Sequence, residues 1–313
     1  MERHRISGRR SLGLLLALGT TLLWGVLPLA LKAVLEGMDP FTITWFRLTA
    51  SAALLAPFVL RAGRKAPADM GRGSLLALLA VSALGLCGNY IFYLLGLDHL
   101  TPAAAQVLIQ MSPIFLMFGS MIVFRERFTA FQWAGFAVFL AGLGLFFHER
   151  LLEIFDRWDD FSTGLAFMLL AALVWASYSL AQKQLLRAMP SGRIMLVIYA
   201  SGFLLFLPFA RPETVLALDP VRIALLAFCA LNTLAAYGFY AESLNHWEAS
   251  RVSAVLTIVP VLTLCFSALG ALWFPAFVRA ESLDALMVLG AFLVVGGSML
   301  VALWKGPAKK QAE

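Results

Sequence analysis

The chain has 313 residues, of which 61% are hydrophobic and only 13% charged, with a formal net charge of +6. That balance excludes an ordinary soluble domain and describes a polytopic membrane protein. Its Lys and Arg residues are scattered over short connections between apolar runs, not gathered in a stripe with interleaved aromatics, so nucleic acid is not an expected partner.

The first apolar run, about 11–31, follows Arg3, Arg5, Arg9 and Arg10. It is too long for a signal-peptide core and shows no small-x-small cleavage site, so it is expected to remain as the first span. It carries Trp24 and Pro28, a candidate kink, and Lys32 follows at its end. Nine more spans are expected at about 42–60, 74–97, 102–124, 131–147, 163–183, 194–210, 221–243, 251–273 and 284–304. The second holds Arg47, the one basic residue well inside a span. It aligns with Ile198 in the second half, and this lack of a charged counterpart favours a structural or interfacial role over carboxylate binding. In the fourth span Gln106, Gln110 and Pro113 fall at i, i+4 and i+7 on one helix face. A proline there leaves a carbonyl unpaired near mid-membrane, and that face needs a partner or water. The one long break, between residues 148 and 162, carries Glu149, Glu153, Asp156, Asp159 and Asp160 and divides the spans five and five.

The second half repeats the first. An offset of 151 carries Trp24 onto Trp175 and Lys32 onto Lys183. An offset of 147 carries Tyr90, Tyr93, His99, Gln106, Gln110 and Pro113 onto Tyr237, Tyr240, His246, Ser253, Thr257 and Pro260, and one of 155 carries Gly135 and Gly142 onto Gly290 and Gly297. Five spans per unit is odd, so the second unit enters the membrane from the opposite side. The expected fold is therefore all-α, with ten transmembrane helices in two inverted five-helix repeats: residues 1–148, an outer acidic connector at 149–161, and 162–313. With both termini cytoplasmic, seventeen Lys and Arg residues lie on the inner side and six on the outer.

Inverted repeats are the architecture of secondary transporters, whose site lies near mid-membrane at the repeat interface. The candidate substrate-binding residues are the matched positions Trp24 and Trp175, Tyr90 and Tyr237, Gln106 and Ser253, and Gln110 and Thr257, together with the unmatched Asn89, Tyr178 and Ser179. Asn232 is a further unmatched polar residue in the same spans. Pro28, Pro113 and Pro260 are the candidate kinks. Tyr93 and Tyr240 read equally well as interfacial anchors, the four matched glycines as close-packing positions, and Cys87, Cys229 and Cys265 as small core residues. None of the eighteen acidic residues lies near a span centre, so proton coupling would need a peripheral group. No catalytic residue, metal or cofactor is expected. The expected partners are a small-molecule substrate and the lipid bilayer, with the chain a monomer or weak dimer.

Phe46-Arg47-Leu48, the Pro113 helix, and the run from Phe124 through Arg125-Glu126-Arg127-Phe128-Thr129 to Gln132-Trp133-Ala134-Gly135 together resemble the EamA-type drug/metabolite transporters over nearly the whole chain. In the second half the connection is replaced by a longer stretch, 273–282, without that motif. The resemblance implies a basket-shaped bundle in a bacterial inner membrane that exports small metabolites through a cavity built by spans 1, 3, 4, 6, 8 and 9. Its aromatic lining is similar to that of YddG-type exporters of aromatic and other neutral amino acids. Sugars, nucleosides and drugs are the alternative cargoes. A channel would want a ring of charges or carbonyls, and a membrane enzyme would want a motif such as H-E-x-x-H, which is absent from the sequence.

Overall fold

The computed structural model describes residues 9–62, 71–124, 129–149, 159–186, 188–247, 249–279 and 284–303, and these contain no strand. The motif residues 125–128, the connector residues 150–158 and the basic stretches 1–8 and 304–313 lie outside the described residues, as does the side chain of Ser253.

The first half holds α1 (Arg10–Leu35), α2 (Pro40–Arg61), α3 (Arg72–His99), α4 (Pro102–Leu108), α5 (Met111–Phe124) and α6 (Ala130–Phe146). The second holds α7 (Asp160–Leu185), α8 (Ser191–Phe206), a 3-10 turn (Pro212–Ala217), α9 (Pro220–His246), α10 (Ala249–Leu256), α11 (Val259–Trp273) and α12 (Ala285–Leu303). Six helical stretches are long and apolar enough to cross a membrane, and four shorter apolar ones occupy the remaining expected spans. The chain is an all-α polytopic membrane protein.

Two expected spans are each a broken pair. The chain leaves the helix at Ile109–Gln110 and again at Thr257–Ile258, with Pro113 and Pro260 just beyond. Pro113 has no N–H to return to the carbonyl of Ile109, so Ser112 N takes that oxygen at 2.9 Å in a tighter turn. Pro28 behaves differently. It lies inside α1, which continues through it, and the carbonyl it leaves without a donor finds one on another helix, described below.

The direction of the repeat follows from contacts between equivalent helices. On α6 and α12, Gly135 faces Gly297 and Gly142 faces Gly290, so the higher number on one helix meets the lower on the other. A Cβ at Gly142 would come within 2.5 Å of Val294 N, and one at Gly297 within 2.5 Å of Phe139 N; only glycine lets these backbones approach. On α2 and α8, Phe41 meets Phe206, Trp45 meets Phe203, and Gly192 faces Val59. Both pairs are antiparallel, so the two five-helix units are inverted. The other major contacts are exchanged between halves: α1 packs along α9 as α7 packs along α3. Gly13 lies against His246 and Trp247 where the equivalent Gly164 lies against His99 and Leu100.

Helix starts on one membrane face share a cap. Asp39, Asp159, Asp219 and Asp284, and Thr101, accept backbone N–H groups at the starts of α2, α7, α9, α12 and α4. On the other face Thr129 and Gln132 close a capping box on α6, which accounts for the Thr and Gln of the connection motif. Cys87 and Cys229 are buried as expected, whereas Cys265 is exposed on α11.

Substituting Gly142 by Val is expected to lower the melting temperature of the detergent-purified protein by more than about 5 °C. Gly144→Val, where nothing lies within 4 Å of the added carbon, should shift it by less than about 1 °C. Equal shifts in a thermal scan would contradict the packing described for α6 and α12.

Candidate functional site

A cavity of about 190 Å³ sits where the two halves meet. Its walls come from Trp24, Leu27 and Leu31 of α1; Arg47 of α2; Asn89, Tyr90 and Tyr93 of α3; Gln106 of α4; Trp175 of α7; and Asn232, Thr233, Tyr237 and Tyr240 of α9. The two helix breaks close it, with Gln110 and Thr257 beside Ser112, Pro113 and Val259.

Backbone rules explain why these side chains stand where they do. Pro28 cannot return an N–H to the carbonyl of Trp24, and in a membrane interior that oxygen must find another donor. Gln106 Nε2 supplies it at 3.0 Å. The neighbouring carbonyls take donors as well: Leu23 O from Asn232 Nδ2 at 2.8 Å and Gly25 O from Thr263 Oγ1 at 2.8 Å. Three helices, α4, α9 and α11, thus bond to one turn of α1. Across the centre Gln110 Nε2 donates to Thr257 O at 3.2 Å, joining the two breaks through repeat-equivalent residues. Asn89 Nδ2 donates to Ala171 O at 3.0 Å. Each of these four amides gives its NH₂ to a main-chain carbonyl.

The aromatic wall is continuous. Trp24 packs edge-on to Tyr237 at 5.5 Å and lies 6.0 Å from Tyr240, and the equivalent Tyr90 and Tyr237 stack at 6.3 Å. Arg47 is 4% exposed, with its guanidinium carbon 4.6 Å above the Tyr90 ring and its Nε donating to Thr233 Oγ1 at 3.1 Å. Facing lipid, an arginine at this depth would cost on the order of 3 kcal/mol; here it is held inside protein.

The structure brings Trp24, Asn89, Tyr90, Gln106, Gln110, Trp175, Tyr237 and Thr257 to the cavity. It does not bring Tyr178 or Ser179 there. One turn beyond Trp175, Tyr178 packs on the backbone of α3 at Gly85 and directs its hydroxyl to Met195 Sδ at 3.6 Å, so that level of α7 is filled by α3 and α8. From the sequence, Ser112 and Thr233 carry no expectation, Arg47 is weighed for carboxylate binding with a structural or interfacial role favoured, and Tyr93 and Tyr240 stand between two roles. Arg47 carried a signal, a lone charge in an apolar run. For the tyrosines the signal was span length: α3 and α9 continue to His99 and His246, which puts both rings a turn and a half inside.

A wider cavity of about 810 Å³ opens on the face where α1 and α3 end. Lys32 Nζ caps α3 there, donating to Leu97 O and Asp98 O at 2.8 and 2.7 Å, while His99 lies 3.5 Å from Asp160. At the rim Arg222 bonds Ala33 O, Asp219 and Glu36. Hydrogen bonds from the Arg222 backbone and guanidinium hold the Asp219 carboxyl below the ordinary carboxylate range.

Comparison with known proteins gives a consistent family. The model of the EamA-like transporter family matches residues 11–147 and again 162–303. An uncharacterised inner membrane transporter of Escherichia coli K12, YhbE, is 40% identical over 303 residues, covering 95% of this chain and 94% of that protein. A probable amino-acid metabolite efflux pump of Salmonella typhimurium LT2 is 25% identical over 295 residues, covering 90% and 92%. A solved crystal structure superposes with a TM-score of 0.62 at 19% identity over 93% of this chain and 97% of the other, which speaks to the fold.

Gln106→Leu is expected to cost about 1–2 kcal/mol of stability by leaving Trp24 O bare. Pro28→Ala restores an N–H to that oxygen, so in its background the same substitution should cost less than half as much. A double-mutant cycle on thermal unfolding reads the difference; additive effects would mean that Pro28 is not what makes Gln106 necessary.

Proposed function

The chain belongs to the EamA-like transporter family, and we propose that it is a carrier exporting neutral, chiefly aromatic, amino acids across a bacterial inner membrane. The observation that carries the reading is the cavity: it lies at the meeting of two inverted units and is walled by Trp24, Tyr90, Trp175 and Tyr237, with side-chain amides between them. Aromatic faces suit a small apolar side chain, and a few placed amides suit the polar end of the same molecule. Resemblance to a probable amino-acid metabolite efflux pump supports the same cargo class.

Alternating access follows from the inversion. Two units of one design, related by an axis in the membrane plane, can exchange conformations and so open the central site to either side in turn. In this reading both termini face the cytoplasm, which puts Lys32, Asp98 and the wide cavity outside, in agreement with the distribution of Lys and Arg.

Proteoliposomes loaded with labelled phenylalanine should show saturable efflux and counterflow, with a labelled sugar retained. Trp175→Ala or Gln110→Ala should slow phenylalanine efflux at least about tenfold. Efflux that never saturates would indicate a channel, and a saturable sugar flux indifferent to phenylalanine would overturn the cargo. For orientation, an impermeant thiol reagent should label Leu216→Cys in intact cells and Gly71→Cys only after permeabilisation, both in a Cys265→Ser background.

A further inference from the structure

We propose that Arg47 is the seat of a carboxylate group on the transported molecule, so that the cargo is an anion or zwitterion and not a neutral sugar or a simple amine. The inference deepens the transport reading and rests on it for the identity of the site.

The environment of Arg47 is unusual for a buried charge. A guanidinium offers five N–H donors and no acceptor. Only Nε is used, on Thr233 Oγ1. That hydroxyl spends its own proton on Cys229 O at 2.8 Å, so it is a neutral acceptor and no counter-ion. The four donors on the two terminal nitrogens have no hydrogen-bond partner among the described residues. No carboxylate lies within ion-pair distance of Arg47 among them, and none lines the cavity. Tyr90 supports the flat face of the group, which leaves its edge for a ligand.

Arg222 of the same chain shows what a structural arginine looks like. It bonds a backbone carbonyl and two carboxylates at the rim. Arg47 is deeper and has less. A charge buried in protein without a counter-ion is unfavourable, and the terminal nitrogens form a fork that matches the two oxygens of a carboxylate. A single uncompensated cation in a low-dielectric pocket also draws anions toward it.

Other groups in the wall complete the chemistry of an amino acid. The Tyr93 hydroxyl is buried and unpartnered, a further donor for an anion. Asn232 Oδ1 is likewise buried without a donor, and the side-chain oxygens of Asn89, Gln106 and Gln110 accept no hydrogen bond among the described residues. Oxygens fixed in this way suit an ammonium group.

The test is a titration of tryptophan fluorescence, since Trp24 and Trp175 line the site. Purified wild-type protein should bind phenylalanine at least tenfold more tightly than phenylalaninamide, and 3-phenylpropionate at least tenfold more tightly than 3-phenylpropionamide. Arg47→Gln should erase both preferences, while Arg47→Lys keeps part of them. The wild-type comparison needs no variant, so a misfolded Arg47→Gln protein would not rescue the idea. Equal affinity for acid and amide in the wild type, failure of the acids to bind, or a preference that survives in folded Arg47→Gln protein overturns it. Acid preference without saturable phenylalanine efflux would sink the transport reading and leave the carboxylate seat standing; efflux without acid preference would do the reverse.

Discussion

A peptide carbonyl stripped of its donor in an apolar interior costs several kcal/mol, and the middle of this protein is arranged around that cost. Pro28 strips Trp24 O, and the breaks ahead of Pro113 and Pro260 strip others. Gln106 serves Trp24 O and Gln110 serves Thr257 O at the second break, while Asn232 and Thr263 add donors to Leu23 O and Gly25 O on either side of Trp24; each sits on a different segment from the carbonyl it serves. Helices that share only apolar faces in lipid have little to fix their depth or rotation. These bonds supply both, and they fix the amides that line the cavity. Cohesion and site chemistry therefore use the same side chains: an amide whose NH₂ is committed to the backbone has its oxygen left over.

The inverted repeat preserves contacts more faithfully than residues. Thr20 of α1 donates to Ala236 O of α9, and the equivalent contact joins α7 to α3 with the donor on the other side, Asn89 to Ala171 O. Gly13 and Gly164 allow the same close approach at opposite ends of the bundle. Tyr90 stacks on Tyr237 and Gln110 bonds Thr257, so equivalent residues meet at the centre. Matched contacts at the two ends of the framework are what the proposed alternation of access requires.

Much of this was legible in the sequence because the membrane makes the rules strict. A run of apolar residues must be a helix, and a proline in it must leave a carbonyl to be served. Hence the spans, and the two proline sites where helices break, follow from the residues alone. What proline does next is tertiary, and here reading along the chain stops: the donor for Trp24 O comes from Gln106, on another helix, and nothing near Pro28 announces it. Helical spacing placed Tyr178 a turn from Trp175 on nearly the same face, but the glycine at 85 brings α3 so close that this level has no room for a cavity. Arg47 read as structural or interfacial for a different reason. Matching the halves rewards symmetric residues, and the charge in the cavity wall is present in one half only.

That asymmetry has a physical basis. Arg47 aligns with Ile198, a fully buried residue on α8 whose carbonyl receives Cys87 Sγ at 3.8 Å. No residue of α8 lines the cavity, so the position equivalent to Arg47 adds nothing to its wall. The cavity wall thus carries one cation and no acid among the described residues, which leaves the proposed attraction for a carboxylate in place. The rim shows the same logic: Arg222 has Leu75 as its counterpart, so its ties to Glu36 and Asp219 are not repeated through that position. In the proposed carrier, symmetry would serve the exchange of shapes in the helical frame, and departures from it would set the charge that a passing molecule meets. Within a duplicated membrane protein of this kind, the residue that breaks the pattern inside an apolar span is therefore as informative about the site as the residues that keep it.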